Sequence, residues 1–184
     1  RLFEVLFWNP SYYFNNLLDI IALWKGGMSF HGGLVGVIIA GYLFGKKNKI
    51  SLAKLADLII IPATLVLALG RIGNLLNSEL YGTITNVSWC FNFQNVFGCR
   101  HPYQIYMFLG LLFSFFLLLK LSKKEHKEGF IFWMVILLFG IFRFILDFFR
   151  EDVRYLGLSL GQYFSIPLIL ISIYILFKYY EKEI

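Results

Sequence analysis

Charged side chains are scarce in this chain of 184 residues, of which only 15% are charged while 59% are hydrophobic. A soluble domain usually carries about 25% charged residues. Phenylalanine alone occurs 21 times, which is more than the core of a soluble domain of this size can bury. The composition therefore excludes an ordinary soluble domain and indicates an integral membrane protein.

Acidic residues are the rarer charge, with 11 Asp and Glu against 17 Lys and Arg, so that the net charge is +6. The basic residues lie in short runs between apolar segments. A nucleic-acid-binding surface needs a basic patch or stripe, often with aromatic residues, and none is visible. We therefore expect no nucleic-acid partner and interpret the positive balance as a signal of membrane topology.

Cysteine is also nearly absent. Cys90 and Cys99 lie in one polar loop and lack the spacing of metal ligands. Two interpretations stay open: a disulfide, if the loop faces an oxidising compartment, or two separate thiols. Neither cysteine is expected to be catalytic. A signal-peptide pattern is absent as well, and the chain starts at Arg1 rather than Met, so we interpret it as a fragment or a processed product that lacks an N-terminal segment.

Five apolar segments have the length of transmembrane helices. They lie near residues 30–45, 53–77, 103–121, 129–149 and 160–178. Lysines cluster between the first and second segments, between the third and fourth, and after the fifth. By the positive-inside rule these regions are cytoplasmic. The fold class predicted is all-α, a polytopic helical membrane bundle with a periplasmic loop at 78–102.

The segment 1–29 is rich in aromatic residues but is interrupted by Pro10 and several asparagines. Aromatic side chains favour the membrane interface. Two interpretations remain open: an N-terminal interfacial arm, or a periplasmic loop that packs on the bundle.

Polar residues inside the apolar segments collect at the predicted outer ends of the helices. They are His31, Arg71, Asn74, Asn77, Glu79, His101, Tyr103, Gln104, Tyr106, Arg143, Asp147, Arg150 and Gln162. An ionisable group at membrane depth costs roughly 2.5–3.5 kcal/mol on insertion scales. Guanidinium groups bind phosphate in a bidentate manner, so the cluster predicts a site for an anionic phosphate head group.

Spacing adds detail to this prediction. Arg143, Asp147 and Arg150 follow the pattern i, i+4, i+7, which predicts one shared helix face on which Asp147 pairs with either arginine. A similar stripe is predicted for Arg71, Asn74 and Ser78. Tyr103 and Tyr106 are interpreted as residues of the aromatic belt at the membrane surface.

Three classes of function fit a polar cluster in a membrane: an enzyme, a lipid or anion transporter, and a structural subunit. Transporters tend to have internal repeats and a site at the bilayer midplane. No repeat is visible, and the cluster lies toward one face. The arginines collect at the predicted outer ends of the helices, which also disfavours a purely structural subunit.

Five stretches of the chain resemble the prolipoprotein diacylglyceryl transferases of the bacterial inner membrane. They are GGMSFHGGL (26–34), GRIGNLLNSELYG (70–82), HPYQIY (101–106), RFILDFFRE (143–151) and GLSLGQ (157–162). The resemblance implies that residues 1–184 form a single transmembrane catalytic domain that lacks an upstream N-terminal span, because the family begins with one or more such spans. It implies transfer of the diacylglyceryl group of phosphatidylglycerol to the thiol of the lipobox cysteine in a preprolipoprotein signal peptide. A thioether forms and glycerol phosphate leaves.

The same resemblance implies roles for individual residues. Catalytic roles are implied for His31, which assists proton removal, and for Arg143, Glu79 and Asp147. Binding of phosphatidylglycerol is implied for Arg71, Asn74, Gly82 and Arg150. Asp147 stands where the family usually has Glu, and Met107 where it commonly has Glu. No metal or other cofactor is expected.

Overall fold

The computed structural model of the chain describes residues 1–183, with Phe30 described by its backbone alone. The chain divides into two compact units, Arg1–Leu55 and Ala56–Ile184. Each unit is described by itself below.

The first unit begins with short helical turns and ends in one long helix. The turns are Glu4–Trp8, α1 (Pro10–Asn15), Leu17–Ile20 and Leu23–Lys25, and the long helix is α2 (Phe30–Asn48). The guanidinium group of Arg1 donates hydrogen bonds to the carbonyl oxygens of Asp19 (2.8 Å), Ala22 (2.8 Å) and Gly27 (2.7 Å). Because one side chain bonds several turns, the segment 1–29 is ordered around Arg1.

Four helices are long and apolar enough to cross a membrane: Leu52–Leu76, Tyr103–Leu121, Phe130–Phe149 and Leu160–Tyr180. The predicted segment 30–45 is helical, as α2, but α2 is not one of these four. Its five glycines and its closing Lys46 and Lys47 lower its mean hydropathy. The chain is therefore a polytopic helical membrane protein with four candidate spans, and the count of five is not confirmed.

The second unit contains α3 (Leu52–Leu76) from Ala56 onward, α4 (Tyr103–Leu121), α5 (Phe130–Leu146) and α6 (Leu160–Tyr180). Helix α5 packs against both α4 and α6. Its first turn is capped by Asp57 of α3, whose carboxylate accepts hydrogen bonds from the N–H groups of Gly129 (2.6 Å) and Phe132 (2.7 Å). An acidic cap at a helix N-terminus is stabilising because it satisfies free N–H groups.

The interior of this unit differs between its two ends. Near the start of α5 the core is apolar and includes Leu118, Phe130, Val135 and Leu176. At the opposite end, where α3 and α5 end and α4 and α6 begin, the fully buried side chains include Gln104, Asp147, Ser159 and Gln162. We call this opposite end the polar end. It holds the part of the predicted cluster that lies in this unit.

Helices α5 and α6 approach closely because small residues line their contact. A Cβ atom added to Gly140 of α5 would lie 2.9 Å from Cγ1 of Ile169. Ser165 of α6 is also buried, and its hydroxyl donates to the carbonyl oxygen of Gly161 in its own helix (2.7 Å). This close contact brings the first turn of α6 against the last turn of α5.

Helix α5 ends earlier than the spacing predicts. A 3₁₀ turn follows at Asp147–Phe149, and Arg150 is extended, with φ −85° and ψ 140°. The chain then forms a hairpin of β1 (Arg154–Tyr155) and β2 (Leu158–Ser159). The prediction that Arg150 shares a helix face with Arg143 and Asp147 is therefore wrong.

The stripe predicted on α3 is also cut short. The helix ends at Leu76, and Ser78 has a positive φ of 55°. A residue in the left-handed region cannot continue a right-handed helix. The predicted stripe therefore loses Ser78, while Arg71 and Asn74 remain on the helix.

Candidate functional site at the polar end

Asp147 is the buried centre of the polar end. The hydroxyl of Tyr103 donates to its Oδ1 (2.5 Å), and the hydroxyl of Ser159 donates to its Oδ2 (3.1 Å). Arg143, the predicted partner, has its Nε 3.7 Å from Oδ2. This distance is at the outer limit of an ion pair, so two neutral hydroxyl groups bind the carboxylate more closely than the arginine does.

Ser159 is held in place by the capping of α6. Its Oγ accepts a hydrogen bond from the N–H of Gln162 (3.1 Å), and its own N–H donates to Oε1 of Gln162 (2.9 Å). This reciprocal pattern is a capping box. The amide of Gln162 also donates to the carbonyl oxygen of Phe144 (3.0 Å). The start of α6 is thereby fastened to the end of α5, which sets the position of the Ser159 hydroxyl.

Gly161 lies directly against the Arg143–Asp147 pair. A Cβ atom at Gly161 would lie 2.2 Å from Oδ2 of Asp147 and 2.7 Å from Nη2 of Arg143. Real Cβ atoms do not approach neighbours this closely. The absence of a side chain is therefore what allows the first turn of α6 to touch the charged pair.

Arg71 and Arg150 bring further positive charge to the polar end. Arg71 is half-buried and interacts electrostatically with Tyr103, Arg143, Arg150 and Asp147. Within residues 1–183, no carboxylate lies within ion-pairing distance of Arg71. The guanidinium group of Arg150 lies 5.8 Å from the centre of the Tyr103 ring. Positive charge is therefore in excess around the one buried carboxylate.

Glu79 forms hydrogen bonds within the segment 70–82 and with Gln104 of α4. Its Oε2 accepts a hydrogen bond from Nδ2 of Asn74 (3.0 Å), and its carbonyl oxygen accepts one from Nε2 of Gln104 (2.5 Å). Among the described residues, the ion pairs do not include Glu79. Glu79 therefore orders Asn74 directly, and its predicted catalytic role stays a prediction.

Gly82 lies where three segments of backbone meet. Its N–H donates to the carbonyl oxygen of His101 (3.0 Å), and it forms a bridge with Arg150. A Cβ atom there would lie 2.5 Å from the carbonyl oxygen of His101 and 2.6 Å from that of Phe149. These contacts explain why a glycine is needed at this position. The predicted binding role of Gly82 stays a prediction.

A disulfide between Cys90 and Cys99 links two positions within the loop 78–102. The next residue, Arg100, is buried and forms an ion pair with Glu151, while its guanidinium group donates to the carbonyl oxygen of Gly82 (3.2 Å). Of the two interpretations of the cysteines, the structure has the disulfide. Arg100 joins the loop to the segment after α5, and loop residues carry no periodicity from which this role could have been predicted.

The structure brings seven of the eight predicted site residues into the second unit, at its polar end. They are Arg71, Asn74, Glu79, Gly82, Arg143, Asp147 and Arg150. His31 belongs to the first unit, where it is exposed in the first turn of α2, and its role stays a prediction.

Four residues of this end were given no individual role from the sequence: Tyr103, Gln104, Ser159 and Gly161. Tyr103 was predicted to belong to the aromatic belt, but it is only 1% exposed, so that prediction is wrong. The available signal was that all four residues lie in the motifs at 101–106 and 157–162. Among the residues that the structure describes, no group of three His, Cys, Asp or Glu could hold a metal ion.

Comparison with known proteins gives consistent matches. A family model described as prolipoprotein diacylglyceryl transferase matches residues 1–178. The phosphatidylglycerol–prolipoprotein diacylglyceryl transferase of Geobacter sulfurreducens is 43% identical over 180 residues, covering 94% of this chain and 69% of the relative. The enzymes of the same name from Bordetella parapertussis and Rickettsia bellii are 44% and 38% identical, and the matches cover 92% and 97% of this chain and 68% and 72% of the relatives.

Proposed function

Because the chain belongs to the prolipoprotein diacylglyceryl transferase family, we propose that its polar end is the site at which the phosphate of phosphatidylglycerol is held during transfer. The protein is a transferase that moves the diacylglyceryl group of phosphatidylglycerol to a prolipoprotein, the first step of lipoprotein maturation. The proposal concerns which residues carry this reaction, and how.

The observation that carries the proposal is the excess of arginine at the polar end. Arg71 is half-buried and has no carboxylate within ion-pairing distance among residues 1–183, although it interacts with two other arginines. Burying positive charges together is unfavourable unless an anion compensates them. A phosphate between Arg71 and Arg143 supplies that compensation, and guanidinium groups match its geometry.

In the proposed reaction, the thiolate of the substrate cysteine attacks the glycerol carbon that bears the phosphate. A carbon–sulfur bond forms, the carbon–oxygen bond breaks, and glycerol phosphate leaves with the electron pair. Positioned guanidinium groups stabilise the negative charge on the leaving phosphate. A free cysteine thiol has a pKa of about 8.5, so a base or nearby positive charge helps to remove its proton. His31 is the proposed acceptor of that proton.

An apolar groove of about 430 Å³ between α4 and α5 suits the acyl chains. It is lined by Tyr106, Leu109, Gly110, Phe113, Phe142 and Leu146. Phe142 and Leu146 belong to the same turn of α5 as Arg143, which supports placing an acyl chain of the bound lipid in this groove. An acyl chain can lie there among side chains as apolar as the lipid itself.

The orientation proposed for the protein has its polar end at the periplasmic face of the bacterial inner membrane. Its support is the lysine clusters that follow α2, α4 and α6, which the positive-inside rule places in the cytoplasm. In this arrangement α2 also crosses the membrane, which adds a fifth span to the four candidate helices. The prolipoprotein is proposed to be recognised through a lipobox cysteine, which presents its thiol at the polar end.

Replacing Arg71 by Ala is expected to raise the KM for phosphatidylglycerol at least tenfold, because the phosphate loses a charged, bidentate partner. The KM of Arg71→Lys is expected to lie between those of the wild type and Arg71→Ala. Lysine keeps the positive charge but lacks the planar guanidinium group that binds phosphate in a bidentate manner. The measurement is the gain of one diacylglyceryl mass on a lipobox peptide, and a peptide with Ser in place of its Cys serves as the blank. An unchanged KM in Arg71→Ala contradicts the phosphate site.

Replacing His31 by Gln is expected to lower kcat about a hundredfold, because a positioned general base typically contributes 10²–10⁴. The KM for phosphatidylglycerol should stay close to that of the wild type. The informative measurement is kcat against pH: if His31 accepts the proton, a higher pH restores part of the lost rate by ionising the thiol without help. A near-normal rate at neutral pH removes His31 from the mechanism.

A further inference from the structure

We propose that Tyr103 is a positioning residue that keeps Arg143 available for phosphate by occupying one oxygen of Asp147. The inference rests on the proposed role of Arg143 and deepens it. It assigns a task to a tyrosine that is interpreted from the sequence as a residue of the aromatic belt.

The first step is the distribution of donors around Asp147. This carboxylate is fully buried, and a buried charge needs close partners. Tyr103 supplies the shortest contact, 2.5 Å to Oδ1, and Ser159 lies 3.1 Å from Oδ2. Hydrogen bonds to a carboxylate stabilise its charged form. Asp147 is therefore stabilised mainly by two neutral hydroxyl groups.

The second step is the position of Arg143. Its Nε remains 3.7 Å from Asp147, and its side chain is 26% exposed at the polar end. A close, bidentate pair with Asp147 would occupy the same N–H groups that a phosphate needs. Because Tyr103 and Ser159 already bind the carboxylate, Arg143 is oriented by Asp147 without being held tightly by it.

The third step is the separation of Asp147 from Arg150. The ring of Tyr103 lies 5.8 Å from the guanidinium carbon of Arg150, while its hydroxyl binds Asp147. Arg150 has its own carboxylate partner, since its Nη1 lies 3.6 Å from Oδ2 of Asp152. Among the described residues, Arg143 is therefore the arginine within ion-pairing distance of the Asp147 carboxylate, while Tyr103 contacts both Asp147 and Arg150.

Removal of the hydroxyl tests this arrangement. In Tyr103→Phe the ring beneath Arg150 remains, but Oδ1 of Asp147 loses its partner, and Arg143 is the nearest cation that can replace it. Arg143 is then drawn toward Asp147 and away from the phosphate. We expect the KM for phosphatidylglycerol to rise about tenfold, with kcat reduced less than threefold. Tyr163→Phe is the matched control, because the hydroxyl of Tyr163 donates to the carbonyl oxygen of Tyr155 (2.9 Å). The KM of this variant should not change.

The double variant separates positioning from a structural role. In an Asp147→Asn background the carboxylate that attracts Arg143 is gone, so adding Tyr103→Phe is expected to leave the KM unchanged. If Tyr103 has only a structural role, Tyr103→Phe should lower the melting temperature and the amount of active protein but leave the KM unchanged. The loss of active protein should then be the same in the wild-type and Asp147→Asn backgrounds. That result overturns the inference.

A parallel assay of Arg143→Ala distinguishes failure of the inference from failure of the proposed function. If Arg143→Ala is inactive while Tyr103→Phe keeps the wild-type KM, only the inference about Tyr103 is wrong. If Arg143→Ala retains activity, the role proposed for Arg143 is wrong, and the inference fails with it.

Discussion

Replacing Arg143 by Ala is expected to reduce kcat/KM about a thousandfold or more. Removing one preorganised donor from a developing negative charge costs about 10²–10³ in rate, and Arg143 is proposed to carry a full charge as well. The variant also leaves Asp147 without its nearest cation. The measurement is diacylglyceryl transfer to a lipobox peptide, with the amount of folded protein determined in parallel. Activity within tenfold of the wild type would contradict the proposal that Arg71 and Arg143 hold the phosphate between them.

Arg154→Ala is the matched control for this variant. Arg154 follows the same helix, but its guanidinium group donates to the backbone carbonyl oxygens of Phe148 (2.8 Å) and Asp147 (3.2 Å). It therefore acts as a cap for the end of α5 and its 3₁₀ turn. Its loss is expected to lower the melting temperature by a few degrees, with a much smaller loss of activity than in Arg143→Ala.

Replacing Gly161 by Ala is expected to reduce activity about a hundredfold, although it adds only one methyl group. The new Cβ would lie 2.2 Å from Oδ2 of Asp147 and 2.9 Å from Nε of Arg143. The buried carboxylate has little room to move, so Arg143 and the first turn of α6 must shift. A displacement of about 1 Å in a catalytic group can cost about a hundredfold in rate. The measurement is again peptide transfer, with kcat and KM determined separately.

Gly140→Ala shows whether this loss depends on the charged pair. Gly140 lies in the same contact of α5 with α6, but its added Cβ would meet Cγ1 of Ile169 at 2.9 Å and no charged group. Overpacking of this kind typically costs about 1–3 kcal/mol of stability. We expect Gly140→Ala to lower the melting temperature more than Gly161→Ala does, and activity less. Equal losses of activity would show that packing alone explains the effect at Gly161.

Much of the membrane architecture follows from the sequence. Four predicted apolar segments agree with candidate spans to within a few residues, because a stretch of about 20 apolar residues has few alternatives to a helix in lipid. The segment 30–45 is helical too, but its glycines weaken the signal on which a span is assigned. The prediction that Arg143, Asp147 and Arg150 share one helix face failed because helical spacing does not reveal where a helix ends. Asp147 begins a 3₁₀ turn whose end is set by contacts with other segments.

The residues of the site divide in a similar way. Arg71, Arg143 and Asp147 could be found from the sequence, because a charge at membrane depth is costly and therefore informative. Tyr103 and Ser159 lie in the motifs at 101–106 and 157–162, but their role could not be found from the sequence, since tyrosine and serine are ordinary residues near a membrane surface. Their importance arises only from their hydrogen bonds to Asp147, across 44 and 12 positions of the chain.

The sequence by itself determined the class of this protein, the approximate positions of its apolar helices, its family, and the arginines at one end of the bundle. Each of these depends on local composition, on spacing along one helix, or on a short motif. The tertiary structure decided the partners of Asp147, the need for Gly161, and the link from Arg100 to Glu151. These depend on how closely separate helices and loops approach, and that distance is set by packing among side chains far apart in the chain.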